Sequence, residues 1–265
     1  MEHKIIDFHT HPYLEKAKNL CKYKEDFQLS AAEVPADLQK AGISKICGTV
    51  ISSEVFSLDM GWNEIKRLNE EALELKKLYG DFYYPGFHIH PTFVKESLET
   101  IEFMHQNGFR LIGEIVPYMH KWYDAGLDFS SKPLQEILDL AGEYNMIFSY
   151  HTGPDWHEQM DKMIAANPGI IFVAAHPGEK KNYMMHLERM KKFENAYLDL
   201  SGTGLFRYGM LREGIRQVGD ERFLFGSDYP IGNIGMYVEG VCFEHISEES
   251  KEKIFYKNAE RILSP

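Results

Sequence analysis

At 265 residues the chain is longer than an ordinary single domain but close to the roughly 250 residues that one α/β barrel uses. A hydrophobic share of 44% and a charged share of 26% give enough apolar material for a sizeable core and exclude a disordered chain. The formal net charge of -11, with no long run of Lys or Arg, argues against nucleic acid as a partner, and no apolar stretch reaches the 18 or so residues of a membrane span.

Short apolar, β-branched or aromatic runs then alternate with longer amphipathic segments along the whole chain. The runs are "KIIDFH", "SKICGTVI", "DFYYPGFHI", "FRLIGEIV", "NMIFSY", "GIIFVAA", "NAYLDLS" and "RFLFGS", which predict eight strands. Helices are predicted over 30–41, 63–79, 94–107, 131–144, 156–166, 179–192, 207–218 and 247–262. Ser30 with Glu33 forms a capping box, Ser247 opens the last helix, and Gly42, Gly80, Gly108 and Gly219 fall where helices should stop. Eight units in 265 residues average about 33 residues, near the roughly 30 of a βαβ unit, so residues 1–265 are expected to form one (β/α)8 TIM barrel domain. A doubly wound sheet would carry a glycine-rich phosphate loop after its first strand, whereas this turn reads "HTHPYL". Three cysteines, Cys21, Cys47 and Cys242, show no CxxC spacing, and the N-terminus has no signal-peptide pattern. Both features suit the reducing cytoplasm.

Active sites on such barrels gather at the C-terminal strand ends. There the sequence offers His9 and His11, His88 and His90, Glu114, His151, His176 and Asp228. Side chains at i and i+2 of a strand share a face, so His9 and His11 can grip one cation, with Asp7 below them. His151 and Asp228 would complete a nitrogen and oxygen set suited to zinc, with manganese or iron as alternatives. Glu114 is a metal bridge, a substrate contact or a salt-bridged barrel residue. His88 and His90 are expected to face the substrate or support the site. His120, Trp122, Arg207 and Arg212 follow strands four and seven, where Arg207 could hold a substrate carboxylate. His3, His105, His157, His186 and His245 fall in helical or terminal contexts and are expected to be structural or solvated.

"DFHTH", "SYHTG", "VAAHPG", "LDLSG" and "FLFGSDYP" occur in the order seen in the amidohydrolase superfamily, and the chain resembles its amidohydrolase-2 branch over its whole length. That resemblance implies that His9, His11, His151 and Asp228 hold one divalent metal, that His176 hydrogen-bonds the reacting oxygen, and that Asp228 moves the proton. "GEI" at Glu114 and "GFHIHP" are instead similar to the TatD nucleases, where a strand-four Glu helps bind a second cation. The expected activity is hydrolysis of an amide, ester or lactone bond in a small acidic or cyclic substrate. Non-oxidative decarboxylation of an aromatic or unsaturated acid is the alternative, and a TatD-like phosphodiesterase comes third. Specificity would reside in loops 52–63, 117–130 and 229–245, with Trp62, Trp122 and Tyr123 as exposed aromatics closing the pocket or a subunit contact. A homodimer is one assembly the sequence leaves open.

Overall fold

The computed structural model describes residues 4–15, 20–21, 29–52, 58–153, 155–205 and 207–264. His3 and residues 53–57 of loop 52–63 lie outside the described residues. Eight parallel strands stand side by side in chain order: β1 (Ile5–Thr10), β2 (Ile43–Gly48), β3 (Tyr83–Phe87), β4 (Leu111–Ile115), β5 (Ile147–His151), β6 (Ile171–Ala175), β7 (Ala196–Asp199) and β8 (Phe223–Leu224). The ring closes where Phe8 N–H donates to Phe225 O at 2.8 Å and His11 N–H to Tyr229 O at 2.7 Å. All eight predicted strands are present, each an apolar run bounded by turn residues, and β1, β4, β5 and β6 are buried on both sides over nearly their whole length as a parallel barrel requires.

Between the strands lie α1 (Val34–Gln39), α2 (Trp62–Tyr79), α3 (Val94–Gln106), α4 (Lys132–Glu143), α5 (His157–Ala166), α6 (Lys180–Lys192) and α7 (Met210–Val218). The capping expectations hold. Glu33 accepts from the Ser30 backbone N–H at 2.8 Å, and Ser247 Oγ accepts from Ser250 N–H at 3.1 Å. Gly42, Gly80, Gly108 and Gly219 all take positive φ, which glycine reaches without a Cβ penalty. After β8 the chain forms α8 (Ile234–Cys242), then α9 (Glu248–Glu252) and α10 (Asn258–Leu263), joined by one wide turn over Lys253–Lys257.

α8 falls inside a segment predicted as loop. "IGMYVEGVC" carries two glycines and no charged first turn, so its helical signal is weak, and the Asn233 cap, Oδ1 to Met236 N at 3.4 Å, starts it. Most of the core packs strands against helices. A second, smaller cluster brings Ile6, Phe8, Cys47, Leu111, Val173 and Leu224 from the strands together with Ala259 and Ile262 of α10. Cys47 is fully buried there, and burial pushes its thiol far up, so it stays a protonated apolar filler.

Candidate metal centre

Closing the barrel is what assembles the centre. β1 and the turn after β8 are locked together by Asp228 N–H to His9 O at 2.9 Å, so ligands 217 or more positions apart in sequence arrive side by side. Asp7 reinforces this seam: its carboxylate accepts from Ser227 N–H at 3.0 Å and from the Ser227 hydroxyl. Burial pushes Asp7 up to about 7 against those hydrogen bonds, and it serves the seam, not the ligand set.

His9 Nε2 and His11 Nε2 lie 3.3 Å apart. Asp228 Oδ1 is 3.2 Å from His11 Nε2 and 3.6 Å from His9 Nε2, while Glu114 Oε2 is 3.5 and 3.6 Å from the same two nitrogens. Glu114 Oε1 turns the other way and stands 3.6 Å from His176 Nε2. His151 sits beside this group, its ring 4.8 Å from that of His176, but its nitrogens fall outside both ligand sets that close around a common point.

Hydrogen bonds on the far side of each ring decide what these nitrogens offer. His9 Nδ1 faces Asp199 Oδ2 at 2.9 Å, and a carboxylate only accepts, so Nδ1 carries the hydrogen. His11 Nδ1 faces the Thr49 carbonyl at 3.2 Å, with the same consequence. Both Nε2 atoms therefore present lone pairs inward. Two lone pairs at 3.3 Å, with two carboxylate oxygens around them, repel one another unless a cation sits among them. His9, His11 and Asp228 close around one point with Glu114 Oε2 beside them, and these imidazoles, oriented by their outer hydrogen bonds, together with the carboxylate oxygens fit a divalent metal ion.

The carboxylates favour positive charge here: burial opposes charge on His9, yet Asp199 and Glu114 outweigh it and hold the ring well above its ordinary pKa, so a proton competes with a metal ion for Nε2. Burial would raise Glu114, but His9, His151 and His176 hold it below the usual carboxylate range; Asp228 is likewise held low, by His11 and His9 against its burial. Among the described residues, every ion-pair partner of Glu114, Asp199 and Asp228 is a histidine. A buried, carboxylate-rich pocket without Lys or Arg attracts a cation. His176 and Asp228 also hold φ of 68° and 60°, a strained conformation for residues other than glycine, and such residues cluster at functional sites.

The amidohydrolase family model matches residues 6–264. The chain belongs to this amidohydrolase family. No curated protein sequence matches it. Among solved structures, this amidohydrolase is similar to 2,6-dihydroxybenzoate decarboxylase from Rhizobium, with a TM-score of 0.75, 17% identity and 99% of each chain covered. It is also similar to a dihydroxybenzoic acid decarboxylase from a Polaromonas species with bound manganese and the inhibitor 2-nitroresorcinol, at TM-score 0.76 and 16% identity over 98% of this chain and 97% of that one. A 5-carboxyvanillate decarboxylase from Novosphingobium aromaticivorans, with bound manganese, follows at TM-score 0.73 and 15% identity, covering 98% of this chain and 97% of that one.

The other predicted site residues are dispersed. His88 and His90 are buried, and their Nε2 atoms each lie 2.7 Å from a backbone carbonyl, of Val50 and His120 respectively. Burial pushes both rings down to about 4, so both are neutral. Arg207 is half exposed and paired with Glu179, bridging the loops after β6 and β7. Trp122, expected to be exposed, is fully buried against His90 and Phe129. Of the two alternatives for His157 and His186, structural and solvated, the structural one holds: both are buried, with Arg189 at 3.0 Å from each Nδ1. No described helix is long and apolar enough to cross a membrane.

Three residues at the centre escaped sequence reasoning. Asp199 and Ser201 stand at i and i+2 where the apolar run of β7 ends, the same pattern that singled out His9 and His11. Tyr118 is 49% exposed, edge-on to His151 at 5.2 Å and beside Trp156 at 6.3 Å. Burial raises its phenol, and Glu114 and Asp228 raise it further, which places the ring within electrostatic reach of both carboxylates.

Proposed function

We infer that this amidohydrolase is a metal-dependent, non-oxidative decarboxylase of a hydroxylated aromatic carboxylic acid. The observation that carries this is the half-exposed Tyr118 ring, standing with Trp156 and His151 as an aromatic wall beside the ligand cluster. Aromatic rings pack on such walls edge-to-face or offset. The decarboxylases named above, which act on hydroxybenzoates and carboxyvanillate, support the same direction. Hydrolysis of an amide, ester or lactone is the second reading, favoured by the ability of the same donor set to activate water.

His9, His11, Asp228 and Glu114 would hold the ion, with His151 at the edge of the set. When bound, a divalent cation, manganese or zinc, supplies positive charge that draws the oxygens of the substrate and offsets the charge the ring takes up. The chain's own groups do the rest. Tyr118 and Trp156 orient the ring. Asp228 takes the proton of the substrate hydroxyl and delivers it to the ring carbon bearing the carboxylate, while the His176 Nε2 lone pair accepts from a further hydroxyl of the substrate or from water. The carbon–carbon bond then breaks, carbon dioxide leaves, and its bonding pair restores the aromatic ring. Solvent returns a proton to the phenolate.

The test is a panel of ortho-hydroxybenzoates, aryl esters, lactones and amides offered to manganese-loaded and zinc-loaded protein in deuterium oxide. The expected result is carbon dioxide release with deuterium on the carbon that carried the carboxylate. Ester, lactone or amide cleavage without carbon dioxide would replace this reading by the hydrolytic one.

A further inference from the structure

We propose that Asp199 and Ser201 form a positioning device that fixes His9 and His176 in the same tautomer through one shared carboxylate. The inference rests on the decarboxylase reading only for what His176 does to substrate.

The hydrogen bonds leave one solution. Asp199 is fully buried, and its Oδ2 accepts from His9 Nδ1 at 2.9 Å. Its Oδ1 accepts from Ser201 N–H at 3.0 Å and from the Ser201 hydroxyl. A hydroxyl has one hydrogen, and Ser201 spends it on Asp199, so toward His176 Nδ1 at 3.0 Å it has only lone pairs. His176 Nδ1 must therefore carry a hydrogen, and in the neutral ring Nε2, on the side of Glu114, then offers the lone pair. The carboxylate that turns the His9 lone pair toward the metal thus also turns the His176 lone pair toward substrate.

Shape supports the same device. Gly202 has φ of +59°, and a Cβ there would come 2.2 Å from His176 Nδ1, so the turn after β7 is pressed against the ring. Tyr237 Oη holds that turn by donating to Gly202 O at 2.8 Å. On the other side Gly226 leaves room, since a Cβ would stand 2.9 Å from His9 Cβ and 3.2 Å from Asp199 Oδ1. Histidine partners of this kind are worth about 10–100-fold in metal affinity or activity. Neither Asp199 nor Ser201 reaches substrate; both act through the rings they hold.

Two variants separate the two arms. Asp199→Asn keeps the shape but can offer an N–H to His9 Nδ1, and Ser201→Ala removes the link to His176 and the hydroxyl's bond to Asp199 Oδ1 while leaving the backbone N–H bond to Oδ1 and the His9 arm on Oδ2 in place. Manganese affinity is measured by calorimetry on metal-stripped protein. The His176 tautomer is read from long-range nitrogen–proton NMR spectra of the same metal-stripped protein, with signals assigned by His176→Gln. Asp199→Asn is expected to weaken manganese binding by about 10–100-fold and disturb both rings. Ser201→Ala should keep manganese affinity within about 2-fold of wild type while His176 becomes a mixture of tautomers and kcat falls about 10-fold or more. A His176 that keeps its Nδ1 hydrogen in both variants, or manganese affinity untouched by Asp199→Asn, overturns the proposal. Wild-type protein that decarboxylates nothing sinks the decarboxylase reading instead, because affinity and tautomer are read without substrate.

Discussion

His11 Nε2 and Asp228 Oδ1 stand 3.2 Å apart, one carried by the end of β1 and the other by the turn that closes the barrel after β8. Asp228 is the one member of the cluster proposed both to hold the ion and to move a proton. Asp228→Asn retains an oxygen donor but loses the exchangeable carboxyl proton. Turnover should fall by at least about 1000-fold, a size in keeping with a lost proton-transfer group, while manganese content falls far less. Elemental analysis and single-turnover kinetics on the same sample check this. Near-normal turnover would remove Asp228 from proton transfer.

Glu114 reaches His9 and His11 with one carboxylate oxygen and His176 with the other. It is thus placed as a fourth donor to one ion, and a binuclear centre would need a second complete ligand set. The described residues give two overlapping triads that share His9, not two separate ones. One equivalent of metal per chain is expected. Glu114→Gln should keep that stoichiometry with weaker affinity; a fall from two equivalents to one would establish a binuclear site.

Much of this was legible because barrel strands announce themselves locally. "IIDFHT" and "IFVAA" are apolar runs with a functional histidine at or just past their end, His9 and His11 for the first and His176 for the second, and the end of the run marks the rim. What stayed hidden depends on partners distant in sequence. Asp199 gains its role only because β7 lies near β1 across the closing strand, 190 positions from His9. Trp122 looked like a loop aromatic because nothing near it in sequence shows that His90 and Phe129 will cover it. Arg207 looked free for substrate because Glu179, its partner, belongs to the preceding unit.

Tyr118 tests the aromatic wall without removing any of His9, His11, Glu114 and Asp228. Its ring is half exposed and packs edge-on to His151, so removing the ring removes a surface against which an aromatic substrate rests. Ring pairs of this kind contribute about 0.5–1.5 kcal/mol, so Tyr118→Ala should raise KM about 3–10-fold, and Tyr118→Phe should change it by less than about 2-fold. Steady-state kinetics on one hydroxybenzoate decide it. An equal loss in both variants would assign the effect to the hydroxyl instead.

Away from the centre, Arg189 is buried between α5 and α6 with its Nε on Asp161 at 2.7 Å and its other nitrogens 3.0 Å from His157 Nδ1 and His186 Nδ1. Both histidines must offer lone pairs to the guanidinium, so both are neutral. Burial first, then Arg189, pushes His157 down to about 4 and His186 well below its ordinary value. In the unfolded chain each takes a proton near 6.5. Between about 6.5 and 4 the unfolded state therefore binds more protons than the folded one, and stability falls as the pH drops through that window. Each such histidine contributes a slope of up to about 1.4 kcal/mol per pH unit. Urea midpoints at pH 7, 6 and 5 should decline steadily in wild type. His186→Gln, which can still accept from Arg189, should lessen the decline by one histidine's share, with His88, His90 and His157 supplying the rest, and an unchanged slope would remove His186 from the acid-sensitive groups.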